Sequence, residues 1–390
     1  MAAGDVFWTF LKLGCTSFGG PSAHLGYFRT TFVQQKAWLT EARYGALVAL
    51  AQFLPGPASS QVGFAIGLER AGLAGGAAAW AGFTLPSALI MLLAGFGLTL
   101  LPADVLPGVV HGLKLVAVAV VLHAVQGMAQ SLCRDRFHQW LGVGALVLAL
   151  LLPGVLGQVS ALVLAGLAAL AGAAAPAMDE AETAPPARIG PLPFLLIGLA
   201  IALLLGLPFA VAAGLPGAAL AEPFYRAGAL VFGGGHVVLP VLETATVGQA
   251  WLPAEDFLAG YGLAQAIPGP LLTFAAYVGA ASHGFAAGVV ALVAIFVPGL
   301  LLMAGGLPVW TRLSHLPALR RALGGVNAGV VGILAAALYD PLWTGSVAGP
   351  ADVAAAALGW AMLQLLKWPS WTVALSGLGY GLALAAAGQT

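Results

Sequence analysis

Residues 192–215 run without one charged side chain, and that stretch alone constrains the solvent of the chain. Helical residues rise 1.5 Å each, so it reaches about 36 Å and can cross the roughly 30 Å of hydrocarbon in a bilayer. The rest of the sequence agrees: 61% of residues are hydrophobic and 7% charged, where a soluble domain carries about 25% charged residues. The expected fold class is an all-α polytopic membrane protein, because helices satisfy their backbone polar groups internally where no water reaches them. Glycine (54) and proline (25) are abundant, as in membrane helices that pack closely or break. Lys+Arg and Asp+Glu are equal at 14 each, so no basic excess points to nucleic acid. Cys15 and Cys133 give neither a disulfide framework nor metal-ligand spacing, and no cofactor is expected. Met1-Ala2-Ala3-Gly4-Asp5 lacks the basic n-region of a signal peptide, so the first apolar segment is expected to stay.

Two short breaks interrupt the apolar sequence early, at Phe18-Gly19-Gly20-Pro21 and at Gln52-Phe53-Leu54-Pro55-Gly56-Pro57. Both recur, as Phe232-Gly233-Gly234-Gly235 and Gln265-Ala266-Ile267-Pro268-Gly269-Pro270, at spacings of 214 and 213 residues. The register extends further. Lys12 aligns with Arg226, Gly14 with Gly228, Trp38 with Trp251, Ser60 with Thr273, Pro86 with Pro298, Gly112 with Gly325 and Lys114 with Asn327, always at 212–214. The chain is an internal duplication. Residues 1–175 form the first half, 176–191 a polar linker, 192–217 a connecting helix and 218–390 the second half.

Within the first half, residues 5–17, 41–54 and 58–68 are each too short to span a bilayer. They flank the breaks either as re-entrant hairpins or as broken spanning helices. Full spans are expected at 73–101 and 108–132, and shorter ones at 137–152 and 156–175; the second half repeats them at 285–307, 322–339, 352–366 and 370–387. Positive charge then orients the halves. Arg29, Lys36, Arg43, Arg134 and Arg136 mark one side of the first half, whereas the stretch equivalent to Arg29–Arg43 carries Glu243, Glu255 and Asp256. Arg312, Arg320 and Arg321 lie instead opposite the loop of Asp104. The bias changes sides, which predicts inverted halves whose half-helices meet near the midplane. With hairpins at all four breaks, nine spans remain. The N-terminus, the Arg134 loop and the linker then face the cytoplasm and the C-terminus faces outside.

Helices broken at corresponding positions of inverted halves point to a transporter's midplane site. A helix N-terminus presents free N–H groups and about half a positive charge, so it favours anions. Starts at Pro21, Pro57, Gly235 and Pro270 are expected to converge on a small oxyanion. The substrate-binding set is Lys12, Gly19, Gly20, Pro55, Gly56, Pro57, Ser59, Ser60, Arg226, Gly233, Gly234, Gly235, Pro268, Gly269, Pro270 and Thr273. Lys114, Asn327, Gln52, Gln265, His24 and His236 are the candidates for coupling or the pathway. Plainer readings stand beside these: Pro-Gly-Pro as a kink, Lys12 snorkelling to the interface, Lys114 in a structural ion pair, and the histidines as packed hydrogen-bonding residues. Glu69 beside Arg70 reads as an interfacial pair, and Trp38 and Trp251 as interfacial anchors. No paired carboxylates, metal spacing or nucleophile–base set marks an enzyme.

Phe-Gly-Gly, Trp-Leu, Ala-Gln-x-x-Pro-Gly-Pro and the Gly-Val-Asn-Ala-Gly-Val-Val-Gly stretch at 325–332 resemble the chromate ion transporter family in its long, two-half form. The resemblance covers nearly all of the chain except the linker and terminal spans. It implies export of chromate from the cytoplasm across a bacterial inner membrane, with sulfate as a structural analogue and the proton gradient as driving force. It leaves a homo-oligomer open. Lys114 in place of the second copy's Asn, and Ser59-Ser60 near the position of Thr273, are departures that leave open how the halves divide the work. Sulfate or another anion moving inward or through a channel, and an enzyme acting on lipid-linked substrates, are the alternatives.

Overall fold

The computed structural model describes residues 3–18, 20–97, 105–152, 154–172, 190–231, 238–313 and 316–387. Gly19, most of the linker and the break at 232–237, with Gly233, Gly234, Gly235 and His236, lie outside the described residues. Every regular element among the described residues is helical. In the first half these are α1 (Ala3–Thr16), α2 (Gly20–Phe28), α3 (Glu41–Phe53), α4 (Ala58–Gly97), α5 (Leu106–Leu132), α6 (Arg136–Leu151) and α7 (Gly154–Gly172). Helix α8 (Leu192–Ala212) connects to α9 (Ala218–Leu230), α10 (Val238–Thr246), α11 (Ala254–Ala266), α12 (Phe274–His283), α13 (Phe285–Leu313) and α14 (Pro317–Ala337). A short α15 (Thr344–Ser346), α16 (Pro350–Gln364) and α17 (Ser370–Ala386) end the chain.

The half-helices fold back on themselves. Arg43 near the start of α3 donates Nε to Glu69 at 2.8 Å, although continuing helices would hold these residues roughly 35 Å apart. Glu69 therefore pairs across the hairpin, and the guanidinium of its neighbour Arg70 lies 4.9 Å from the Trp38 ring. In the second half the Tyr277 hydroxyl donates to the Asp256 carbonyl at 3.0 Å, clasping α12 to the start of α11. Beyond the first glycine break, Phe10 of α1 meets Phe28 edge-on at 5.5 Å and stacks on Phe32 at 4.8 Å between ring centroids. Helix α4 also reverses, at Ala71 and Gly72 (φ 63°), where only glycine adopts that backbone without strain. Gly67 and Gly75 then touch across the turn, as Gly279 and Ala287 do across Gly284.

A one-residue slip in the repeat has a visible cause. The spacing falls from 214 to 213 between Phe18 and Trp38, and Arg29–Gln35 form a π-helical turn there. Such a turn absorbs one inserted residue without ending the helix.

The halves exchange their last helices. Helix α5 packs on α16 and α17 of the second half, and its counterpart α14 packs on α6 and α7 of the first. Gly108 and Gly112 meet Gly381 and Gly377, while Gly325 and Gly332 meet Ala165 and Gly142. These are small-residue contacts, at four-residue spacing on α5 and α17 and seven-residue spacing on α14, which let membrane helices approach backbone to backbone. The hairpins form a second body around α4 and α13, with α8 laid along its α9 and α13 side. The two bodies meet unequally. Helix α11 lies along α5 and α17, and α10 against α7 and α14, but no comparable packing joins α3 to α14 or α2 to α5 among the described residues.

Five described helices are long and apolar enough to cross a membrane: 58–97, 106–130, 192–212, 285–310 and 317–346. Helices α6, α7 and α17 are shorter apolar helices, and α16 has 15 residues. Of the nine expected spans, four are thus short for a bilayer of average thickness.

Two changes test this packing. A Cβ on Gly14 would lie 2.6 Å from the Phe83 carbonyl oxygen, so Gly14→Leu should destabilise the protein by about 1–3 kcal/mol, read as a lower Tm in detergent. Asp135 caps α6, accepting from the His138 backbone N–H at 3.0 Å and facing its ring at 2.6 Å. Asp135→Ala should cost about 1 kcal/mol at neutral pH. The backbone bond from His138, before the ring's own contribution, holds the Asp135 carboxyl below its usual range. That stabilisation is complete above the unfolded pKa and is lost as pH falls through the lower folded value. The Tm gap between native protein and variant should therefore close below about pH 4.

Candidate functional site

Each Pro-Gly-Pro break docks on the opposite half. The Gly56 N–H donates to the Val231 carbonyl at 2.6 Å, and the Gly269 N–H donates to the Ser17 carbonyl at 3.0 Å. Ser17 and Val231 each directly precede a Phe-Gly-Gly break. Gly56 and Gly269 have φ of 126° and 101°, a conformation that a side chain would strain. A Cβ would also lie 2.9 Å from Gly299 Cα at one break and 2.6 Å from Ser87 Oγ at the other. Ser87 and Gly299 in turn follow the two helix prolines, Pro86 and Pro298. The same four-part contact is made twice with the halves exchanged, which is the pattern of a two-fold interface.

This geometry changes the roles expected for several residues. The N–H groups of Gly56 and Gly269 are engaged across the halves and are not open donors. In the first turn of α4, Gln61 N–H already donates to Pro57 at 2.9 Å, leaving the N–H groups of residues 58–60 as the unpaired helix start. After Pro270 the chain makes a 3-10 turn, Leu271–Thr273, before α12 begins. Thr273 is buried, but its hydroxyl donates to the Pro270 carbonyl at 2.8 Å. Lys12 lies on the exposed face of α1, opposite the buried Phe10, Gly14 and Ser17. It lines a groove of about 870 Å³ with Thr9, Thr16, Ala23, Thr30 and Lys36. Arg226 pairs with Glu222 one turn earlier, at 3.2 Å. Position in the chain suggested that both cations reach the site; Lys12 opens onto this groove and Arg226 is engaged by Glu222.

Other expected residues do come together. His24 is 1% exposed, and its Nδ1 lies 3.3 Å from the Ser59 hydroxyl. Its ring meets Phe83 edge-on at 5.1 Å. Ser59 and Ser60 are buried beside Gln61, which donates Nε2 to the carbonyls of Pro55 at 2.9 Å and Gly299 at 3.1 Å. Gln265 is buried and hydrogen-bonds Tyr261, whereas Gln52 and Asn327 are half-buried. Lys114 is 8% exposed on α5, next to Leu113, whose carbonyl touches Gly262 of α11. No carboxylate pairs with it among the described residues, so the structural ion pair considered for it is absent there.

Four residues of this region escaped the sequence reading: Ser17, Gln61, Thr84 and Ser87, all at most 2% exposed. Ser87 donates to the Thr84 carbonyl at 3.1 Å. The signal was available, since each is polar where its repeat partner is not. The site has neutral hydroxyl donors and backbone N–H groups, a set suited to an oxyanion.

Comparison with known proteins agrees with the motifs. The family model described as Chromate transporter matches residues 4–173 and 218–382. The chain belongs to the chromate transporter family. Its relatives include the chromate transport protein of Pseudomonas aeruginosa, 30% identical over 87% of this chain and 81% of that protein. The probable chromate transport protein of Synechococcus elongatus is 28% identical over 84% and 82%, and the chromate transport protein of Cupriavidus metallidurans is 28% identical over 84% and 80%. No solved structure gives a significant match. For this family member the breaks can be tested directly. Gly269→Ala should lower the Tm by the equivalent of about 1–3 kcal/mol, from φ strain and the Ser87 contact together. Adding Ser87→Gly should recover the contact's share and leave the strain.

Proposed function

We propose that this protein exports chromate from the cytoplasm by proton-coupled alternating access, with the breaks as its binding site. Membership of the chromate transporter family supports the substrate, and the chromate transport proteins among its relatives extend it to this chain. The observation that carries the mechanism is the unequal seam between the two bodies. By the register of the repeat, α11 on α5 should be matched by α3 on α14; the first contact is made and the second is not. Gly262 abuts the Leu113 carbonyl of the bundle, while its counterpart Ala49 is half-buried against the hairpin body's own core. A transporter with one side of its site sealed and the other parted is in a state open to one compartment, and exchanging the two arrangements opens the other.

The open side is the cytoplasm in this reading. With all four breaks as hairpins and inverted halves, every Lys and Arg except Lys12, Lys114 and Arg226 falls in segments at the end that holds the N-terminus. Positive charge is retained on the cytoplasmic side of bacterial inner-membrane proteins, so the N-terminus lies inside and the C-terminus outside. Hairpin α3–α4 then enters from the cytoplasm, and the structure is the loading state of an exporter.

Everted vesicles test the reading. Energised vesicles should accumulate labelled chromate, sulfate should compete, and an uncoupler should abolish uptake; no energy-dependent uptake would sink it. In a Cys15→Ser/Cys133→Ser background, Ala49→Cys should react with an impermeant thiol reagent in everted vesicles at least tenfold faster than in right-side-out vesicles. Equal rates from both sides would count against the one-sided cleft.

A further inference from the structure

The two breaks are equivalent in backbone and unequal in side chains. Around Gly269 and the start of α4, the first half supplies Ser17, His24, Ser59, Ser60, Thr84 and Ser87, all at most 2% exposed. Their register counterparts around Gly56 and the start of α12 are Val231, Val238, Leu272, Thr273, Phe296 and Gly299. Five of the six positions lose their polar side chain in the second half. The sixth keeps a hydroxyl, but Thr273 closes it onto Pro270, whereas Ser60 Oγ meets no partner.

The first-half set is tied together by contacts. His24 approaches Ser59, its ring rests on Phe83, the Ser17 carbonyl holds Gly269, and Gly269 lies against Ser87. Within this set Ser17 Oγ, Ser60 Oγ and Thr84 Oγ1 are buried without a hydrogen-bond partner, while the His24 ring meets Ser59 and the Ser17 backbone. A buried hydroxyl left without a partner is costly, and three in one region have no packing rationale. Apolar residues fill the same positions in the other half, so the fold does not require these hydroxyls.

We propose that, among the described residues, the first half hydrogen-bonds the oxyanion: the hydroxyls of Ser17, Ser60 and Thr84 donate to its oxygens beside the His24 imidazole, while their described second-half counterparts around Gly56 hold the site's shape. This rests on the oxyanion reading above and assigns the ligand to one of two look-alike positions. A tetrahedral oxyanion fits because it accepts several hydrogen bonds from converging neutral donors. The first half is also the half whose α3 stands clear of the bundle, so the polar position and the parted seam fall on the same side.

The experiment is titration calorimetry of chromate, and separately sulfate, into the purified full-length protein. Ser17→Ala, Ser60→Ala and Thr84→Val should each weaken binding about tenfold or more, as expected for one hydrogen bond to a charged group. Ser17→Thr and Ser60→Thr keep the hydroxyl and should stay within about threefold of native, which separates a lost donor from a disturbed fold. Thr246→Val, whose hydroxyl is closed onto Leu242, serves as a control of native affinity. Unchanged affinity in all three hydroxyl-deletion variants would overturn the assignment and leave oxyanion binding standing. Native protein that binds neither anion would overturn both.

Discussion

Two backbone hydrogen bonds, Gly56 N–H to Val231 and Gly269 N–H to Ser17, carry the architecture. A helix broken inside a bilayer exposes polar backbone where no water can answer it, at a cost of several kcal/mol per group. This protein answers each break with a carbonyl from the other half's break. The glycines are required because only φ near 100–130° brings the N–H to that carbonyl and because Gly299 and Ser87 leave no room for a Cβ. The helix prolines place those two contact residues, so the motifs that looked separate in the sequence belong to one joint made twice.

A joint of this kind keeps the hairpin body whole while the bundle around it is free to be gripped unequally. The bundle is welded by glycine contacts between α5 and α17 and between α14 and α7, each crossing from one half to the other. Between the two bodies lies the seam, closed along α11 and parted along α3. Stiff bodies with a movable seam are the physical requirement for exposing one site to two compartments in turn. Family membership says what kind of cargo passes; the unequal seam suggests how.

Much of this was legible in the chain. The apolar runs gave the solvent, the 212–214 spacing gave the duplication, and the breaks gave the hairpin turns. What linear sequence hid was azimuth. Lys12 sits the right number of residues from the first glycine break but on the exposed face of its helix, Arg226 pairs with Glu222, and Glu69 reaches Arg43 across a hairpin. Pairings across a two-fold joint are invisible to local pattern, which is why the breaks looked like open anion holes when their glycine N–H groups were already engaged. Ser17, Thr84 and Ser87 could have been found by asking where the two copies differ. The reading had asked only where they agree.

The reciprocity of the joint also orders the protein's birth. When residues 1–175 leave the ribosome, Gly56 has no carbonyl to bond and Ser17 no donor to receive, because Val231 and Gly269 are not yet made. The last helices of the first half likewise wait for α14. Neither half can complete its own interior, so insertion runs ahead of folding until the chain has passed residue 270. The Gly56 bond waits for Val231 and the Ser17 bond for Gly269, so the joint is complete only after the second break is made.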